Sequence, residues 1–183
     1  MSFDFKVSLS VSFSQKKLTS EVYSMDWIDK EVGRIKEDDA AKKRYEDRQT
    51  AISSQSSGLW SDLRYLLKEA VEKLRATPEV RQKIGGLDFN DANKDIVKIQ
   101  KVALPAVYVI ITFQYPATIR IERETVTNGG VAEPKTSRQT EQLTIDLDDE
   151  GKAVLKAGED RMLVLEDAVE YLLRPLLTYK LMS

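Results

Sequence analysis

The chain contains no cysteine and no histidine, and these two absences exclude more chemistry than any residue that is present. Without cysteine there is no disulfide framework, no thiolate nucleophile and no iron–sulfur ligation. Without histidine there is no Ser-His-Asp or Cys-His pair and no His-based zinc site. Proton transfer near neutral pH would need an Asp, Glu, Lys or Tyr with a strongly shifted pKa, so we expect a protein that is not an enzyme.

Long apolar runs, export signals and an excess of one charge are also lacking. The longest apolar stretch, from Val102 to Phe113, has twelve residues and contains Pro105, whereas a membrane-spanning helix needs about 20 apolar residues. The N-terminus shows neither the apolar core nor the cleavage site of a signal peptide. Lysine and arginine number 28 against 30 aspartate and glutamate, and nucleic-acid binding needs a positive excess. We expect a cytoplasmic protein that binds neither membranes nor nucleic acid.

Hydrophobic periodicity divides the first half of the chain into a strand and two helices. Residues 2–14 alternate apolar and polar side chains, which predicts a half-buried strand. Apolar residues at spacings of three and four then predict helices over 17–53 and 57–76. The serine-rich run 53–58 predicts a turn between them. The pair is therefore predicted to form a helical hairpin, 17–76, that can project from the body of the protein.

Further strands and a last helix complete the predicted fold. The predicted elements are strand material over 96–115, strands over 118–127, 137–147 and 152–157, and a helix over 160–181. The fold class is α+β: a curved antiparallel sheet of about five strands packed on helices, in the order β-α-α-β-β-β-β-α, within a single domain of residues 1–183. This order is similar to that of the TATA-binding-protein-like and helix-grip folds, a resemblance of topology without a shared motif.

The helical hairpin has more apolar surface than two helices can bury against each other. Its large apolar side chains include Met25, Trp27, Ile28, Val32, Ile35, Tyr45 and Trp60. These residues either pack on the sheet or contact another chain, and Trp and Tyr are typical anchors of interfaces. We predict a non-enzymatic interaction or structural subunit that binds a protein partner, or forms a homo-oligomer, through them.

The alternative prediction is a carrier of a small apolar ligand held between sheet and helices, as the resemblance to the helix-grip fold implies. Inward positions of the strands include Phe113, Ile119 and Ile121, which either fill a core or line a cavity. Arg123 is in phase with these residues. It either bonds a buried carboxylate or lies at the solvated end of its strand, and we favour the second interpretation.

Two acidic clusters are candidates for a cation site. The first consists of Asp88, Asp91 and Asp95, and the second of Asp146, Asp148 and Asp149. The second does not fit a calcium loop of the EF-hand type, because the twelfth position counted from Asp146 is Ala157 instead of Glu. Aspartate and asparagine are also common turn residues. We predict no metal ion and no cofactor, and the sequence leaves open whether either cluster binds a cation.

Overall fold

The structure is a computed structural model that describes residues 19–127, 134–159 and 161–178, with side chains from Trp27 onward. The strand predicted over 2–14 lies outside the described residues. The chain divides into two units with a boundary between Glu46 and Asp47, and each unit is described by itself. The expectation of a single domain stays a prediction.

The first described element is one continuous helix, α1, over Thr19–Ala76. The predicted hairpin is therefore wrong, because the serine-rich run 53–58 is helical. Within this run the Ser54 hydroxyl donates to the carbonyl oxygen of Ala51 at 2.8 Å, and that of Ser56 donates to Ser53 at 3.2 Å. Ser56 is fully buried. The hydroxyl groups of these serines thus find hydrogen-bond acceptors on the helix's own backbone, and their small side chains permit close packing. The sequence pattern had instead indicated a turn.

A short helix and a strand that the sequence did not predict follow α1. Helix α2 spans Pro78–Ile84, and strand β1 spans Leu87–Asn93. Gly85 ends α2 at φ 75°, and a Cβ atom at that position would lie 2.7 Å from Cβ of Ala103. Both the backbone conformation and the space at this turn therefore require glycine.

The remaining described elements are six strands and a helix. They are β2 (Ile96–Lys101), β3 (Ala106–Gln114), β4 (Thr118–Thr127), β5 (Lys135–Leu147), β6 (Ala153–Ala157), β7 (Arg161–Leu163) and α3 (Leu165–Thr178). The strands form one sheet in which each strand pairs antiparallel with the next, from β1 to β7. The α+β class with an antiparallel sheet is confirmed. The predicted count of about five strands and the predicted order are wrong.

Two local features explain the difference in strand count. Pro105 lies in the turn between β2 and β3, so the strand material predicted over 96–115 is a hairpin of two strands. Residues 161–163, predicted as the start of the last helix, instead pair with β6 as strand β7. With β1, these changes give seven strands in the described residues.

One face of the sheet carries the core of residues 47–183. Alternate residues of β2 to β6 on this face are buried, and they pack against α1 from Ile52 onward and against α3. Trp60 of α1 stacks on Phe113 of β3, with ring centroids 5.7 Å apart, and its Nε1 donates to the carbonyl oxygen of Lys94 at 2.8 Å. The two inward isoleucines of β4, Ile119 and Ile121, are fully buried.

Candidate functional site

Three aliphatic residues form an exposed stripe on the first unit of the chain. Ile28, Val32 and Ile35 follow one another in α1 at spacings of four and three, so they lie on the same side of the helix. They are 46%, 43% and 51% exposed. Trp27, next to the stripe, is 62% exposed. Four of the predicted partner-binding residues are therefore together on an uncovered surface.

The other predicted partner-binding residues lie elsewhere. Tyr45 is exposed but ten positions beyond Ile35 in α1, and Trp60 is only 3% exposed because it belongs to the core described above. Met25 lies in α1, and its side chain is outside the described part of the structure. Trp60 thus has a packing role, and the structure brings together the residues from Trp27 to Ile35.

The two acidic clusters make hydrogen bonds that stabilise turns. Between the aspartates of the first cluster, Asn90 and Asn93 accept backbone hydrogen bonds from Ala92 and Asp95 at 3.0 Å and 2.9 Å. Asp88 and Asp91 of this cluster lie 3.6 Å from Nη2 of Arg75 and of Arg64. In the second, Oδ1 of Asp148 accepts the backbone N–H groups of Glu150 and Lys152 at 2.9 Å and 2.8 Å. These contacts are typical of aspartate and asparagine in turns.

Asp146 of the second cluster has a different role. Its Oδ1 lies 2.6 Å from Nη2 of Arg48, so it links β5 to α1. Burial acts to raise the pKa of Asp146, but the hydrogen bond from Arg48 and the nearby backbone N–H lower it below its ordinary value. In the part of the chain that the structure describes, no group of three or more acidic residues is arranged to hold a metal ion.

A second site is built around Arg123, where three elements meet. Arg123 of β4 lies on the face of the sheet that the helices cover, and it is only 8% exposed. Its Nη1 is 2.5 Å from Oε1 of Glu141 on β5, and the hydroxyl of Tyr171 on α3 donates to Oε2 of Glu141 at 2.5 Å. The interpretation of Arg123 as the solvated end of a strand is therefore wrong, because it bonds a partly buried carboxylate.

The pKa values in this cluster move away from neutrality. Burial raises the pKa of Tyr171 above its ordinary value, and the hydrogen bond to Glu141 raises it further. For Glu141, burial acts in the raising direction, but the hydrogen bonds from Tyr171 and Arg123 outweigh it and lower the pKa. A general acid or base works best with a pKa near the operating pH. Charged Glu141 and protonated Tyr171 are therefore suited to holding structure instead of transferring protons.

A polar cleft of about 580 Å³ opens beside this cluster. Its lining consists of Arg123, Gln139, Glu141, Arg161, Asp167, Glu170, Tyr171, Arg174 and Pro175. The guanidinium carbons of Arg123 and Arg161 lie 5.5 Å and 5.7 Å from the centroid of the Tyr171 ring. The lining has three arginines and three carboxylates, and two of these pairs, Arg123–Glu141 and Arg174–Glu170, are already close. The cleft thus has no excess charge with which to attract an ion.

An apolar groove runs between α1 and α3. Its volume is about 500 Å³, and its apolar lining includes Ala70, Leu74, Val169, Leu173 and Leu177. These residues form part of the packing of the two helices against each other, and each of them is at least partly buried. The inward residues of the carrier prediction, Phe113, Ile119 and Ile121, belong to the packed core.

The sequence contains a signal for the cluster of Arg123, Glu141 and Tyr171. Glu141 is in phase with Leu143 and Ile145 along β5, so the alternation that predicts those residues to be inward also places Glu141 on the inner face. An inward carboxylate and an inward arginine on neighbouring strands form a natural pair. Tyr171 gave no such signal, because an aromatic residue on an apolar helix face usually belongs to the core.

No protein-family model, no curated protein and no solved structure matches this chain. Across residues 19–127, 134–159 and 161–178, no helix is long and apolar enough to cross a membrane.

Proposed function

We propose that this chain is a non-enzymatic interaction protein that assembles with a protein partner through the stripe Ile28, Val32 and Ile35 of α1 and the neighbouring Trp27. The observation that supports the proposal is the exposure of all four side chains, from 43% to 62%, with the three aliphatic ones at helical spacing. The same helix, from Ile52 onward, has five buried hydrophobic residues that belong to the core: Ile52, Trp60, Leu63, Leu67 and Val71. An exposed apolar stripe with a neighbouring Trp is typical of a protein–protein contact.

The charged cluster supports a non-enzymatic protein. Its three members, Arg123, Glu141 and Tyr171, bond one another, and the pKa shifts of Glu141 and Tyr171 lead away from neutral pH. Such a cluster holds β4, β5 and α3 together. A carrier of an apolar ligand is less well supported, because the cleft beside Arg123 is lined by charged residues and the inner face of the sheet is packed.

The proposal is tested by affinity capture with the full chain as bait in native extract, followed by mass spectrometry. In the test variant, Ile28, Val32 and Ile35 are replaced by Gln, which removes the stripe and retains good helix formers. In the matched control, Val102, Leu104 and Val164 are replaced by Gln; these aliphatic residues are 53%, 58% and 59% exposed but do not belong to α1. Circular dichroism and urea unfolding check that both variants are folded.

We expect the unmodified chain and the control to capture the same partner, or further copies of the chain, and the stripe variant to lose it. Equal capture by all three baits would show that assembly does not depend on the stripe. Absence of any captured or self-associated protein with all three baits would contradict the proposed function.

A further inference from the structure

We propose that the partner of the stripe is a second copy of this chain, with the two α1 helices lying parallel and in register as a short coiled coil. This inference rests on the proposed function and names its partner. It depends on three features of α1: the spacing of the apolar residues, the arrangement of charges beside them and the residues at which the stripe ends.

The apolar residues occupy the positions that face a partner in a coiled coil. In a heptad labelled a to g, Val32 is an a position and Ile28 and Ile35 are d positions, because four residues separate Ile28 from Val32 and three separate Val32 from Ile35. The segment is helical throughout, and all three side chains are exposed. A β-branched residue at a, such as Val32, is suitable for a two-stranded seam, and the isoleucines at d supply the apolar side chains that the seam requires.

The charges beside the seam favour a parallel second copy. The g positions carry Glu31 and Asp38, and the e positions five residues further along carry Lys36 and Lys43. In a parallel coiled coil, each g residue meets an e residue of the neighbouring helix. Glu31 and Asp38 of one copy would therefore meet Lys36 and Lys43 of the other, and symmetry makes each of the two pairs occur twice.

An antiparallel arrangement brings like charges together. In that case g residues face g residues and e residues face e residues, so acidic Glu31 and Asp38 would be neighbours, as would basic Lys36 and Lys43. In the structure Glu31 already bonds Arg34 on its own helix at 2.7 Å, and that pair lies on the solvent side of the seam. The contact with Lys36 of the second copy adds to this pair.

The continuation of the heptad shows where the coiled coil ends. The next a and d positions are Asp39 and Lys42, where a parallel pair would place identical charges opposite each other. The seam therefore does not extend past Ile35, and the contact is short. A short seam predicts weak association that depends on protein concentration.

The absence of cysteine makes a direct test of this geometry possible. A single thiol is introduced in the full-length chain, either as Val32→Cys in the seam or as Glu37→Cys on the opposite side of the helix. Equal a positions in a parallel pair are close enough for a disulfide bond, whose Cα atoms lie about 4.4–6.8 Å apart. In a glutathione redox buffer, we expect Val32→Cys to form a disulfide-linked dimer and Glu37→Cys to remain monomeric on a non-reducing gel.

A mixture of two variants distinguishes the parallel from the antiparallel arrangement. In an antiparallel pair in which Val32 faces Ile35, a disulfide would form between a Val32→Cys chain and an Ile35→Cys chain. Neither variant alone would then form a disulfide-linked dimer. This result would overturn the proposal. Equal cross-linking of Val32→Cys and Glu37→Cys would indicate random collision and would also overturn it.

Exchange of the charges gives a second test that leaves the seam intact. In sedimentation velocity over about a hundredfold range of concentration, we expect Glu31→Lys or Lys36→Glu alone to weaken self-association about fivefold. The double variant Glu31→Lys/Lys36→Glu restores the opposite charges in a parallel pair, so we expect it to recover most of the loss. Self-association that is unaffected by either single change would contradict the proposed pairing.

The two proposals can fail separately. A chain that sediments as a monomer at every concentration contradicts pairing with a second copy. If the stripe variant nevertheless loses a different captured protein, the proposed function stands and only the identity of the partner is wrong. If neither self-association nor capture occurs, both proposals fail.

Discussion

Arg123 is a charged residue that stabilises the fold from inside the helix-covered face of the sheet. Its nearest carboxylate, Glu141, is about one-third exposed, and the structure places the Tyr171 hydroxyl on the other oxygen of that group. Removal of one member of a buried pair usually costs more than the pair contributes, because the remaining charge is left without its partner. This asymmetry gives a test of the cluster by single and double substitution.

We expect Arg123→Met to lower the free energy of unfolding by about 2 kcal/mol, less than for a fully buried pair because Glu141 reaches solvent. The double variant Arg123→Met/Glu141→Leu should recover about half of that loss, since no charge then remains unpaired. Urea denaturation measures both values. Arg138→Met is the matched control, because Arg138 bonds Glu124 while 78% exposed. A loss no larger than in this control would contradict a structural role for the Arg123 cluster.

The lowered pKa of Glu141 predicts a dependence of stability on pH. A carboxyl group whose pKa is lower in the folded state contributes stability above its unfolded pKa, and this contribution is lost as the pH falls through the folded pKa. The difference in unfolding free energy between the natural chain and Glu141→Gln should therefore shrink from neutral pH to about pH 3. Urea unfolding at several pH values measures this difference, with Glu150→Gln as the control for the loss of an exposed carboxylate, since the Glu150 side chain is 72% exposed. A difference that stays constant or grows on acidification would refute the prediction.

The elements differ in how far the sequence could predict them. Strand β4 was predicted over 118–127 and is observed over Thr118–Thr127, because clear turn residues border a regular alternation. Strand β1 was missed because it is rich in Asp and Asn and depends on pairing with β2, which is tertiary information. In α1, the run 53–58 has the composition of a turn but is helical, with Ser56 buried and the Gln55 side chain bonded to the backbone of Gly151 and Ala153. Local composition thus failed where contacts distant in sequence determined the structure.

Because α1 is continuous, we expect replacement of Gly58 by Ala to stabilise the protein. This residue is inside the helix, and a Cβ atom added to it would meet no other atom within 4 Å. Gly58→Ala should therefore raise the unfolding free energy by about 0.5–1 kcal/mol, because Ala loses less conformational entropy in a helix. If the serine-rich run were a turn, the same change would gain nothing or destabilise the protein.

At Gly85 we expect substitution by Ala to change the free energy of unfolding in the opposite direction. Its φ of 75° and the 2.7 Å approach of Ala103 leave no room for a Cβ atom. We expect Gly85→Ala to lower the unfolding free energy by about 1–2 kcal/mol. A gain at Gly58 with a loss at Gly85, both from urea denaturation curves of the full chain, would support the observed course of α1 and the turn after α2.

At the scale of the whole molecule, burial is distributed unevenly along the chain. Every buried hydrophobic residue of the described segments lies at Ile52 or beyond it, and the side chains from Lys36 to Arg48 are exposed. The described residues before Ile52 therefore contribute no buried hydrophobic side chain to the core. Helices that lack tertiary packing open locally at a lower free energy than the core does. We therefore expect the proposed pairing to stabilise the part of α1 that precedes Asp47.

Limited digestion with trypsin tests this uneven stability. Lys42, Lys43 and Arg44 are exposed and adjacent, so we expect the first cleavages there and a resistant fragment that begins near Asp47. Cleavage should slow as the concentration of the chain increases, because a helix must open before trypsin can cut it and pairing stabilises the helical segment just before these sites. The Gln variant of the stripe should lose this dependence on concentration while yielding the same fragment, identified by mass spectrometry. Early cleavage within residues 47–127 would instead show that the core is the less stable part of the chain.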